Sequence, residues 1–223
     1  MYFIAHRGWT RSHPDNTLAA FAAAWAAGMA GFETDIRVDR DGQAILFHDR
    51  TAANGALVSE LSQQELSEIQ GYAVPSLAQA LAAFPQAFWN LELKSADSLP
   101  ATRAVLASLA QPFHGLISSF HHPLILTLAR ETRLPCALLL ANAPVRTIGL
   151  FTMLATVPRA VGLVFDYEIA NAAQISELSR NQVPCWLYGV QHPSEYAAVL
   201  SWPLAGLISD QTEQLPGLSP RPA

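Results

Sequence analysis

Four short stretches hold the residues that could do chemistry: His6-Arg7, Glu33-Thr34-Asp35, His48-Asp49 and Glu92-Leu93-Lys94. Side chains two apart on a strand point the same way, so Glu33 shares a face with Asp35, and Glu92 with Lys94. Two carboxylates about 4 Å apart repel by roughly 4 kcal/mol at an effective dielectric of about 20. Three brought together therefore require a cation. An all-oxygen set from Glu33, Asp35 and Glu92 suits one hard divalent ion, Mg2+ or Ca2+, better than zinc. Flanked by Arg7 and Lys94, such an ion is suited to a phosphoryl group, whose oxygens the cations neutralise. His6 and His48 add an acid and a base, because histidine holds either protonation state near neutral pH.

These residues need elements that bring them together. Short apolar runs rich in β-branched and aromatic residues recur along the chain: YFIAHR, FETDIR, AILFHD, FWNLELK, GLISSF, CALLLA, GLVFDY, CWLYGV and GLISD. Helix-like stretches lie between most of them, over 17–27, 76–84, 99–109, 123–131, 172–180 and 194–200. Several open with a Ser or Thr cap, or with Pro in the first turn. Alternating strand and helix imply parallel pairing, and strands apolar on both faces imply burial on both.

One link is too short for a crossover. Only VDRDGQ separates FETDIR from AILFHD, so these two strands form an antiparallel hairpin. Asp41-Gly42 reads as a two-residue turn, with paired residue numbers summing to about 83. That register sets Asp35 opposite His48 and returns the histidine to the carboxylates. Without the return strand, eight parallel strands remain, the number that closes an α/β barrel. Functional groups then gather at the C-terminal strand ends, where Ser118, Ser119 and Asp210 also fall. Gly8 is read as letting the chain turn closely past a ligand. The expected architecture is a (β/α)8 TIM barrel in one domain over 1–223, with a small polar insertion at about 51–72.

Composition narrows the function classes. With 51% apolar and 14% charged residues, the chain can bury a large core. A net charge of -5 and no basic block argue against a nucleic-acid partner. The longest apolar helix candidate, 18–27, is too short to span a bilayer, which needs about 20 residues, so no stable membrane insertion is expected. Cys136 and Cys185 each begin an apolar strand and read as buried, reduced thiols, and no export signal precedes the first strand. A cytoplasmic protein is expected.

HRG, PDNTLAAF, FETDIRVDRDGQAILFHD and NLELK together resemble the glycerophosphodiester phosphodiesterase family, with its HRG, PENT, E-x-D, HD and E-x-K segments. VPSLAQAL, ISSF, YGVQ and LISD extend the resemblance along nearly the whole chain. It implies a TIM barrel of the phosphodiesterase type, with His6 and His48 as the acid/base pair. Glu33, Asp35 and Glu92 are then the metal ligands, and Arg7 and Lys94 the phosphate contacts. The implied reaction frees an alcohol such as choline or ethanolamine from a small glycerophosphodiester and leaves sn-glycerol 3-phosphate.

The chain departs from the family pattern at Asp15, usually Glu, Tyr188, usually Trp, and Gln191, usually Asn, which marks these three as a candidate substrate wall. RTAANG is a remnant of the family's Arg-Thr-Thr-Asn-Gly string. His13, His121 and His122 stay open between the entrance of the site and exposed loop or helix-start positions. Two other readings use the same residues: lysophospholipase D or phospholipase C-like action on a lipid phosphodiester, and a non-catalytic phosphodiester-binding barrel. The attacking group, water or a substrate hydroxyl, and the oligomeric state stay open.

Overall fold

The computed structural model describes residues 1–142, 154 and 161–211. The remainder of the expected 1–223 domain span lies outside the described residues. Eight parallel strands form a closed ring: β1 (Tyr2–His6), β2 (Gly31–Val38), β4 (Phe88–Leu93), β5 (Gly115–Ser119), β6 (Cys136–Leu140), β7 (Gly162–Asp166), β8 (Cys185–Tyr188) and β9 (Gly206–Ser209). The ring closes because β1 pairs with both β2 and β9. β3 (Ala44–Leu46) runs antiparallel to the far end of β2.

The crossover helices are α1 (Leu18–Ala26), α3 (Leu77–Ala83), α4 (Ser98–Ala107), α5 (His122–Glu131), α6 (Ala172–Arg180) and α7 (Pro193–Val199). Local chemistry sets their starts. Thr17 caps α1 through the Ala20 N–H, Ser76 and Gln79 form a capping box at α3, and Pro123 occupies the first turn of α5. One apolar cluster fills the space between strands and helices, including Phe21, Phe32, Trp89, Leu138, Phe165 and Leu187.

A smaller cluster of Ile4, Phe88, Leu116, Ala137, Leu139, Val164, Trp186 and Ile208 plugs the inside of the ring. This plug connects the fold to the site. Two residues after Ile4 comes His6; Phe88 is followed by Asn90 and Glu92, Leu116 by Ser118, Val164 by Asp166, Trp186 by Tyr188 and Ile208 by Asp210. The two-residue strand period thus turns an apolar floor into a polar mouth within one step of the same inward face.

The hairpin differs from the expected register. Its pairs are Ile36 with Leu46, Arg37 with Ile45 and Val38 with Ala44, so Asp35 faces Phe47, whose N–H donates to the Asp35 carbonyl at 3.0 Å. The turn is longer than two residues: Asp39 and Gln43 close it, with Gly42 at φ 80. The Asp39 carboxylate accepts from the N–H groups of Asp41 and Gln43 and so favours the wider loop.

The insertion at 51–72 carries a 3-10 turn (Val58–Glu60) and α2 (Gln63–Gln70), which begins at a Ser62–Glu65 capping box and ends at Gly71 with φ 73. It has its own apolar cluster, in which Ile45 and Phe47 from the hairpin meet Ala52, Val58, Leu66 and Val74. Asp39 Oδ2 accepts from the Gln63 N–H at 3.1 Å and fastens the hairpin to α2. Among the described residues no helix is long and apolar enough to cross a membrane. Cys136 and Cys185 are buried free thiols, pushed by burial up to about 11 and about 12.

Candidate active site

The strand ends bring Glu33, Asp35 and Glu92 together, with one carboxylate oxygen from each lying within 4.8 Å of the others. All three are buried. Asp35 is fully enclosed and held by cations: Arg7 Nε lies 3.0 Å from Oδ2 and Lys94 Nζ 2.9 Å from Oδ1. Burial alone would raise its pKa, but Lys94 and Arg7 outweigh burial and hold the carboxyl below its ordinary range. Glu92 takes a hydrogen bond from Lys94 at 2.6 Å, yet burial and the charge of Asp35 push it up.

Glu33 is the outlier. Neither of its carboxylate oxygens has a hydrogen-bond partner, and burial, then repulsion from Asp35, push its pKa up to about 8. A buried carboxylate with two free oxygens, within reach of two others, is a fitting donor for a hard cation.

Both histidines rest Nδ1 on an aspartate. His6 Nδ1 meets Asp210 Oδ1 at 2.5 Å, and His48 Nδ1 meets Asp49 Oδ1 at 2.8 Å. Burial would lower the His6 pKa, but the Asp210 hydrogen bond and the charge of Glu33 outweigh it, and the net shift is upward. His6 Nε2 stands 3.6 Å from Glu33 Oε2. His48 reaches the mouth although the ladder register is one residue from that expected, because regular β3 pairing ends at Leu46. Beyond it, Arg37 Nε donates to the His48 carbonyl at 2.8 Å.

A cavity of about 180 Å³ opens between these groups. His6, Arg7, Glu33, His48, Asn90, Glu92 and Lys94 form its polar side, and Phe120, Leu139, Tyr188 and Ile208 its apolar side. A larger cleft of about 400 Å³ between α3 and α4 is lined without a carboxylate, lysine or arginine, so it lacks the charge for this chemistry.

The residues of the expected wall separate. Tyr188 lines the cavity, its phenol pushed up by burial and by Asp166, to which it is hydrogen-bonded. Asp15 accepts from Arg7 Nη1 at 3.4 Å and lines a neighbouring cleft with Asp49 and Tyr72. Gln191 is exposed at the start of α7, its backbone N–H donating to Glu195 at 2.9 Å, and is not among the residues lining the cavity. His122 Nε2 bonds the Leu139 carbonyl at 2.7 Å, His121 is exposed, and His13 bonds Ser12 at 3.0 Å.

Sequence reasoning missed Asn16. This residue is buried with φ 57 and donates Nδ2 to Asp35 Oδ2 at 2.8 Å, while its Oδ1 accepts from Thr34 Oγ1 at 2.6 Å. Its place between Asp15 and the Thr17 cap hid that role. Gly8 also differs from expectation. A Cβ there would come within 2.7 Å of Ala20, so α1 and not a ligand demands glycine, together with φ 88.

Fold and site together define an α/β barrel whose C-terminal strand ends converge on an acidic, cation-flanked cavity. The model of the glycerophosphoryl diester phosphodiesterase family matches residues 6–214, and the chain belongs to that family. A probable glycerophosphodiester phosphodiesterase 2 of Mycobacterium tuberculosis is 34% identical over 125 residues, 52% of this chain and 47% of the relative. A glycerophosphodiester phosphodiesterase of Caldanaerobacter subterraneus is 29% identical over 140 residues, 53% of this chain and 58% of the relative. The chain thus spans about half the length of the curated relatives it matches. Among solved structures, an Oleispira antarctica phosphodiesterase in complex with the product sn-glycerol-3-phosphate superposes with a TM-score of 0.84 at 22% identity, covering 96% of this chain and 95% of the other. A glycerophosphodiester phosphodiesterase from Thermotoga maritima gives 0.79 at 20% identity, covering 96% of each chain. At these identities the likeness is one of fold.

Proposed function

We propose that this chain hydrolyses small glycerophosphodiesters, such as glycerophosphocholine and glycerophosphoethanolamine, to an alcohol and sn-glycerol 3-phosphate. The observation that carries the reading is the convergence of three buried carboxylates within 4.8 Å, one of them Glu33 with both oxygens unbonded, beside a cavity lined by Glu33, Glu92, two histidines and two cations. The family match supports it, and so does the product held by the Oleispira antarctica phosphodiesterase.

Glu33, Asp35 and Glu92 would hold one divalent ion, Mg2+ or Ca2+, which when bound supplies charge neutralisation for the phosphoryl oxygens. Arg7 and Lys94 bind and orient the phosphoryl group. His6 and His48 are the acid/base pair. The aspartate on each Nδ1 fixes the ring and leaves Nε2 to exchange the proton of the attacking oxygen or of the leaving alkoxide. Tyr188 and Phe120 form the apolar wall along the substrate. The two buried free thiols suit a reducing cytoplasm.

The test is release of glycerol 3-phosphate from glycerophosphocholine and glycerophosphoethanolamine with Mg2+, Ca2+ or EDTA. Metal-dependent release is expected, and its loss in folded His6→Ala. No release by the folded parent protein under any metal would overturn the reading.

A further inference from the structure

We infer that Asn90 is a substrate-binding residue that grips a glycerol hydroxyl together with Glu33; the inference rests on the glycerophosphodiester reading above. Asn90 sits on the inward face of β4, between Phe88 of the apolar plug and Glu92, and is only 1% exposed. Its Oδ1 accepts from Ser118 Oγ at 2.7 Å, which turns Nδ2 away from β5. Nδ2 is buried and has no hydrogen-bond partner. Buried carboxamides rarely leave both N–H groups unused, so the donor is waiting for something that enters the cavity Asn90 lines.

Charge defines what that something is. Asn90 is register-paired with Glu33 on β2, whose two oxygens are also unbonded, and Glu92 stands two residues along the same strand. Arg7 and Lys94 at the same cavity, with the cation that the three carboxylates would hold, already serve the phosphoryl charge, whereas an anionic oxygen set directly between Asn90 and the Glu33 carboxylate would be repelled. The acceptor that Asn90 can take there is neutral. A hydroxyl both accepts and donates, so one alcohol oxygen between the two residues accepts from the Asn90 N–H and donates its O–H to a Glu33 oxygen, giving each unbonded group a partner. The remaining Glu33 oxygen is still free for a cation. With Leu139 and Ile208 nearby, the pair suits a short polyol whose carbon chain lies on apolar surface.

The experiment compares binding of sn-glycerol 3-phosphate with n-propyl phosphate, which keeps the phosphate and carbon chain but lacks both hydroxyls. Titration calorimetry with Mg2+ or Ca2+ present reads affinity without turnover. The parent protein is expected to prefer glycerol 3-phosphate by about tenfold, as a site that leaves polar groups unpaired disfavours the deoxy ligand. Asn90→Leu narrows that preference to within about twofold, and Ser118→Ala, which frees the amide to rotate, narrows it in part. An unchanged preference in folded Asn90→Leu overturns the inference. Equal weakening of both ligands overturns it too, because the amide then acts on what the two ligands share and not on a hydroxyl. A parent protein that binds glycerol 3-phosphate without preference overturns this inference only, whereas one that binds neither phosphate also removes the functional reading.

Discussion

Asn16 holds Asp35: its Nδ2 donates to Asp35 Oδ2 at 2.8 Å, and its Oδ1 faces the Asp35 N–H at 3.3 Å. The most enclosed carboxylate of the site is therefore oriented by a loop residue with a left-handed backbone, φ 57. Asn16→Ala is expected to cost about 3 kcal/mol, combining buried polar groups left unbonded with a left-handed alanine. Asn16→Gly recovers about 1 kcal/mol of that, since glycine carries no backbone penalty. Chemical denaturation of the two variants measures the difference; equal losses would show that the backbone is unstrained.

With burial and the charge of Asp35 pushing its carboxyl up to about 8, Glu33 should be largely protonated in the metal-free protein at pH 7. A cation binding to its carboxylate must displace that proton, so metal addition at pH 7 should release about one proton per chain, and fewer at pH 9. Calorimetry in buffers of different ionisation heat counts them. The same shift has a stability sign. A raised carboxyl contributes stability that is full below its unfolded value of 4.5 and is lost as pH rises through about 8. Metal-free protein should lose thermal stability as pH rises from about 4.5 to about 8 and level off above that, and Mg2+ or Ca2+ should restore it. Proton release that does not vary between pH 7 and 9 would count against Glu33 as a ligand.

His6 lies above its ordinary 6.5 because Asp210 and Glu33 outweigh burial, and Asp210 is held below 3.8 because the His6 bond outweighs its own burial. The pair's stabilisation is thus present above 3.8 and below 6.5, fades as pH falls through the Asp210 value, and is lost as pH rises through the folded His6 value. In Asp210→Asn the His6 imidazole should titrate at lower pH, read by NMR in EDTA. The melting-temperature gap to the parent should be widest near pH 5 and close toward pH 9. An unshifted His6 titration contradicts this.

Gly8→Ala should destabilise by roughly 2–3 kcal/mol, through a left-handed alanine and a methyl forced against a helix backbone. The clash is with Ala20 at the start of α1, so ligand affinity in the protein that remains folded should change little. A variant of parental stability would refute the packing account.

The strands and most crossover helices are legible because apolar runs and caps are local signals, and the polar mouth is legible because the strand period puts Glu33 with Asp35 and Glu92 with Lys94. The hairpin register is not, because Asp39 captures the Asp41 and Gln43 N–H groups and widens the turn, an interaction that a bare Asp-Gly signal does not encode. α2 was hidden in a segment read only as polar, although its Ser62-x-x-Glu65 capping box was present in the sequence. Asn16 and Asn90 escaped notice because amides carry no charge pattern. Their roles depend on partners 19 and 28 residues away, Asp35 and Ser118.

The bond between His6 and Asp210 joins residues 204 positions apart, one following directly on the last strand of the ring and the other ending the first. Until the last strand has paired with the first, the His6 imidazole is without its anchor. The geometry proposed for proton transfer therefore reports whether the ring is closed, and a partly folded or partly synthesised barrel cannot complete it.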